Sequence, residues 1–186
     1  ATTEFGASQW VERILGNAGA KPMILLAMTA GIMAAGRFFA GPLIQSFNAS
    51  GVLIGSAVLA CLGLYMLSMV TGPMVYVGTA IFALGICYFW PTMLGFTAEN
   101  IPKSGAFGLS LIGGAGMLGA AISNPIIGGW IDSGRKAALA SGLDGDAAEL
   151  ATGQAALGNI ALFPGVLIFV FTGLYFYMKS RKTAEA

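Results

Sequence analysis

The chain has 186 residues, 56% of them hydrophobic and 9% charged, with a mean hydropathy of +0.80 and a net charge of +1. A soluble domain carries about 25% charged residues, so this chain cannot present a solvated surface all round. The near-neutral balance also excludes a nucleic-acid binder and a strongly basic membrane-surface protein. Histidine is absent, and Cys61 and Cys87 lie inside apolar runs. The commonest proton shuttle is therefore missing, and the thiols read as small buried hydrophobes rather than a disulfide or metal site.

Residues 1–16 lack the basic start and apolar core of a signal peptide. Phe5, Trp10, Ile14 and Leu15 can share one helical face. The expectation is a partial span over about 1–15, the end of a membrane helix whose beginning is missing, closed by a loop over 16–21. The next run, 22–43, has Pro22 in its first turn and a single charge, Arg37, near its far end. A polar turn at 45–51, QSFNASG, precedes a span over 52–70, which Thr71-Gly72-Pro73 ends.

Two uncharged runs follow, 75–98 and 105–131, joined by a polar hinge that holds Glu99, Asn100, Pro102 and Lys103. Crossing a hydrocarbon core of about 30 Å takes roughly 20 apolar helical residues, and each run is that long. Backbone in lipid must be hydrogen-bonded within its own segment or in a closed barrel, so such runs read as helices. This hairpin is expected to organise the chain, with the other segments packed around it. Residues 132–159 are the longest polar stretch and are expected to form a non-cytoplasmic loop. Its second half, DAAELATGQAAL, has good helix formers and can begin the last helix early. A final span over 160–178 is stopped by Lys179, Ser180, Arg181 and Lys182.

The expected fold class is therefore all-α, a polytopic transmembrane helical bundle of five full spans plus a partial one. With the C-terminus cytoplasmic, that side holds Arg37, Lys103, Lys179, Arg181 and Lys182, against Arg13, Lys21, Arg135 and Lys136 opposite. The basic cluster in the tail sets the expected orientation. Glycine is the second signal, at 28 residues. Gly113, Gly114, Gly116 and Gly119 crowd one helix, and Gly51 and Gly55 form GxxxG, spacings that let membrane helices approach closely. Such contacts serve either packing alone or the sliding that alternating access requires. Pro91 and Pro125 lie inside their helices, where each removes a backbone hydrogen bond and can kink the helix.

Gly36-Arg37-Phe38-Phe39-Ala40-Gly41-Pro42-Leu43 resembles the GRxxxGxL signature at the eighth-to-ninth helix junction of major facilitator superfamily transporters. Asn124-Pro125-Ile126-Ile127-Gly128-Gly129-Trp130-Ile131-Asp132 is similar to the proline, glycine pair and acidic residue that close the eleventh helix there. Tyr88-Phe89-Trp90-Pro91-Thr92 resembles the aromatic–proline break in the tenth helix of sugar-type members. Gln45 and the neutral turn depart from the acidic and basic residues that usually follow the junction signature. The resemblance implies the C-terminal six-helix half of a twelve-helix transporter in the inner (plasma) membrane. The seventh helix is truncated, and the N-terminal six-helix half lies outside the sequence. It also implies a solute held near the midplane, with Gly36, Arg37, Gly41, Pro91, Pro125, Gly128 and Gly129 as gating positions.

Charged or strongly polar groups at membrane depth usually face a cavity or a partner. Glu4, with Gln9 and Trp10 further on, is the first candidate to touch a solute; its alternative is a solvated chain start. Tyr88 and Trp90 offer rings that stack on sugars or pack against lipid and neighbouring helices. Asn124 either lines the cavity or bonds a carbonyl freed by Pro125. Glu99 and Lys103 belong at headgroup level. The expected function is secondary active transport of a small polar organic solute, a sugar or related metabolite, coupled to H+ and needing no cofactor. The alternative is a non-transporting or channel-like membrane subunit, which calls for a polar stripe or charge ring that the sequence lacks. A membrane enzyme needs clustered acid, base or metal groups at depth, and the sequence offers none.

Overall fold

The computed structural model describes residues 1–6 and 20–184, and every regular element among them is helical. A π-helical turn, Thr2–Gly6, is followed by α1 (Pro22–Phe38), α2 (Ala40–Leu67), α3 (Met74–Cys87) and α4 (Phe89–Asn100). A 3-10 turn at Pro102–Ser104 leads to α5 (Gly105–Ala140), α6 (Gly145–Ile160) and α7 (Leu162–Ala184). Among the described residues four stretches are long and apolar enough to cross a membrane: Ser46–Leu67, Met74–Asn100, Pro102–Ala140 and Gly145–Ser180. Pro22–Phe38 is a shorter apolar helix of 17 residues.

The centre of the bundle is α2, which packs against α1, α3, α4, α6 and α7. Its stripe Ala57, Ala60, Leu64 and Leu67 is fully buried, at the spacing that keeps residues on one helical face. Antiparallel to it, α3 presents Gly78, Phe82 and Gly85, and the two backbones meet where Gly63 faces Phe82 and Gly85 faces Ala60. Between them the chain turns through Gly72, whose φ of +66° suits a residue without Cβ. Val75, Phe82 and Ile86 of α3 join Leu157 and Ile160 of α6 and Phe171 of α7 in one apolar core. Phe89 meets Phe171 at 6.2 Å between ring centroids, and Trp130 meets Phe163 at 5.9 Å, tying α7 to α4 and α5.

This arrangement corrects several sequence expectations. The hairpin over 75–131 does not organise the chain. Its second arm, α5, has only 6% of its most apolar window buried, against 50% for the window in α2. Within the turn expected at 45–51, Asn48 interrupts the helix (φ 59°, ψ 154°) so that two helical segments meet there, while the residues on either side are helical; the chain also breaks earlier, at Phe39. Pro42 accommodates that shift, because proline fits the first turn of a helix, where an N–H has no helical acceptor. The stretch 132–159 is helical except for Ser141–Asp144, since α5 runs on to Ala140 and α6 starts at Gly145. Arg135 pairs with Glu149 at 3.2 Å across these two helices, and Gly134 sits against Thr152. Pro164 marks the bend between α6 and α7, where it removes the amide that Ile160 would otherwise receive.

Candidate functional site at a proline break

The break between α3 and α4 follows directly from Pro91. Proline has no N–H, so the carbonyl four residues earlier, that of Cys87, loses its helical donor. α3 ends at that residue, Tyr88 takes φ −98° and ψ −7°, and α4 begins at Phe89. An unpaired carbonyl among apolar helices is costly and recruits another donor. Here the donor is Arg37, whose Nε donates to the Cys87 carbonyl at 3.4 Å.

Arg37 reaches this position because α1 lies close along α3. A Cβ on Gly36 would fall 2.6 Å from the Cys87 sulfur and 3.3 Å from the Tyr88 hydroxyl, so those two side chains would have to shift to admit one. The Cys87 thiol in turn donates to the Met33 carbonyl at 3.5 Å. The same guanidinium donates through Nη2 to Glu4 Oε1 at 3.0 Å, forming an ion pair. One side chain therefore joins α1, the α3–α4 break and the N-terminal turn. The pair is asymmetric, with the Glu4 side chain 9% exposed and that of Arg37 40% exposed. The cation is the partner presented outward, and a guanidinium has five N–H donors, more than these two bonds use.

The N-terminal turn rests on α5 where glycines make room. Ala1 lies beside Gly116, Thr2 beside Gly119, and the Trp90 ring spans Gly113 and Gly116. Glu4, Arg37, Tyr88 and Trp90 thus gather around the break. Asn124 sits on α5 five residues beyond Gly119, roughly 7.5 Å along the axis. Its Oδ1 is buried without a hydrogen-bond partner among the described residues. Gln9 and Trp10 lie outside the described residues. Gly41, Gly128 and Gly129 have no described atom within 4 Å of a notional Cβ, and Gly114 is equally open. Pro125 lies within one continuous helix, α5, whereas Pro91 separates two. Glu99 and Lys103 are exposed at the hinge.

Two participants escaped the sequence reading. The Cys87 carbonyl was findable by counting four residues back from Pro91. Thr92, fully buried with its hydroxyl unpartnered among the described residues, carried no signal. Among the described residues no group of three or more Cys, Asp or Glu is placed to hold a metal ion. No protein-family model, curated protein or solved structure matches the chain.

Pro91→Ala tests the origin of the break. It supplies an amide for the Cys87 carbonyl and removes a helix-interior proline, a change worth up to about 3 kcal/mol. The thermal unfolding midpoint in detergent is expected to rise as α3 and α4 fuse. An unchanged midpoint would show that packing, not the missing amide, holds the bend.

Proposed function

We propose that the chain is one helical half of a secondary active transporter that moves a small polar organic solute across a membrane by alternating access. The observation that carries this reading is Arg37, a cation among apolar helices that holds Glu4 and the carbonyl freed by Pro91. Ionisable groups in such surroundings usually mark a solute or ion pathway. The resemblance of 36–43, 88–92 and 124–132 to the major facilitator superfamily supports the same reading. It brings with it a second six-helix half, an inner-membrane location and a cytoplasmic C-terminus.

In this mechanism the solute lies against the break, where Arg37 donates to its hydroxyl or anionic oxygens and the Tyr88 and Trp90 rings flank it. Glu4 carries the coupled proton. Protonation removes its charge and weakens its hold on Arg37, so that α1 and the N-terminal turn separate at the α3–α4 break. A sugar or related metabolite suits donors of this kind. The test is uptake into proteoliposomes by the full-length protein under an imposed proton gradient. Glu4→Gln is expected to weaken proton-driven uptake more than Glu99→Gln does. Equal uptake by both variants across pH would remove Glu4 from the mechanism.

A further inference from the structure

A second polar feature lies away from the break, at one end of the bundle. Asn48 and Ser50 stand near the start of the apolar stretch Ser46–Leu67, Glu99 and Asn100 at the end of Met74–Asn100, and Tyr175 and Lys179 near the end of Gly145–Ser180. Because α2 runs antiparallel to α3, these three ends come together, and they line a cleft of about 280 Å³. That volume falls just below the ~300–1,000 Å³ typical of small-molecule pockets, so the cleft suits a compact polar group. The non-helical backbone at Asn48 bends α2 beside the cleft. Glu99 is exposed and makes no ion pair among the described residues.

Position and charge together select the occupant. The ends of three membrane-length stretches lie at headgroup level, where tyrosine rings and lysines are enriched. A cleft holding both a carboxylate and an ammonium complements a ligand that carries both signs of charge. We propose that this cleft binds the phosphoethanolamine headgroup of an aminophospholipid. Lys179 and the Ser50 hydroxyl donate to the phosphate, while Glu99 and the Asn100 carbonyl oxygen accept from the primary ammonium. A choline headgroup has no N–H to give Glu99, and a glycerol headgroup has no cation for it. The proposal rests on the membrane reading but not on transport.

The test measures thermal unfolding of the detergent-purified full chain with added phosphatidylethanolamine, phosphatidylcholine or phosphatidylglycerol, beside flotation with vesicles of each lipid. Losing one charge-assisted hydrogen bond of about 1 kcal/mol corresponds to roughly fivefold in affinity. Half-maximal stabilisation is therefore expected at about fivefold lower phosphatidylethanolamine than phosphatidylcholine. Glu99→Gln is expected to erase that preference, and Lys179→Gln to weaken both lipids alike. Equal potency of the two lipids, or an intact preference in Glu99→Gln, overturns the proposal. So does soluble phosphoethanolamine acting as well as the lipid, which would assign the cleft to a free solute. A chain that floats with every vesicle but shows no preference sinks this proposal alone. One that floats with none sinks the membrane reading as well.

Discussion

Arg37→Met in the full chain is expected to cost about 3 kcal/mol of stability, and the double variant Arg37→Met/Glu4→Gln less than half as much. Breaking a buried ion pair from one side is strongly destabilising, typically by about 3–5 kcal/mol, because it strands the remaining charge. Glu4 is the charge left behind without its guanidinium, and its side chain is only 9% exposed. The lower end of the range applies because Arg37 itself is 40% exposed and part of its pairing energy is screened. Replacing both partners removes the buried carboxylate charge as well, while the Cys87 carbonyl still loses its Arg37 donor. Arg37→Lys is informative in a different way. A lysine is a point charge without the planar fork, so it keeps attraction to Glu4 but cannot serve the carboxylate and the carbonyl in the same geometry. Its cost should fall between those of the double and the single variant. Thermal or denaturant unfolding followed by circular dichroism in detergent orders the three. Equal stability of the single and double variants would show that Arg37 matters through packing rather than through Glu4.

How much of this site was legible beforehand depends on the kind of signal each residue carries. Arg37 stood out as the one charge in an apolar run, and Pro91 as a breaker, because charge and ring geometry are local properties. The meeting of the two was not legible, since it depends on α1 lying along α3 at Gly36, a long-range contact. Glu4 was marked by its charge, and its partner became visible only when the N-terminal turn was placed on α5.

The misplaced boundaries have a common physical origin. Gln45, Ser46, Asn48 and Ser50 read as a turn by composition. In the helix, however, the Ser46 hydroxyl donates to the Pro42 carbonyl at 3.0 Å, and Ser50 is buried. Polar residues that bond within a helix do not end it, so the polar stretch narrows to a single interruption at Asn48. Asp132, Arg135 and Lys136 likewise read as loop, yet charged residues are compatible with helix wherever it leaves the apolar layer, and Arg135 finds Glu149 on the next helix. Hydropathy also could not locate the centre of the bundle. The windows in α2 and α5 are both strongly apolar, at 2.0 and 1.6, yet half of one is buried and almost none of the other. Lipid tails are as apolar as leucine, so a sequence does not distinguish a face turned to lipid from one turned to protein.

Glycine gives the same lesson and the other large prediction. Gly63→Ala is expected to destabilise the chain by about 3 kcal/mol, whereas Gly128→Ala should be neutral or stabilise it by up to about 1 kcal/mol. Both glycines sit in helices, where alanine is the better helix former, so propensity favours both substitutions equally. Space decides between them. A Cβ on Gly63 would lie 2.5 Å from the Phe82 amide nitrogen and 2.6 Å from its Cα, and backbone atoms cannot move aside by changing rotamer. At Gly128 no described atom lies within 4 Å. Gly85→Ala meets the backbone at Ala60 in the same interface and should cost as much as Gly63→Ala. The double variant should cost less than the two together, by at least about 1 kcal/mol, since the first methyl already separates α2 from α3. Gly51 and Gly55, whose spacing advertised a contact, have room to spare, with at most the Phe47 Cβ 3.8 Å away. Unfolding of the four variants Gly63→Ala, Gly85→Ala, their combination and Gly128→Ala measures this directly. Alanine at 63 and 85 costing no more than alanine at 128 would mean that α2 and α3 do not meet through these two glycines.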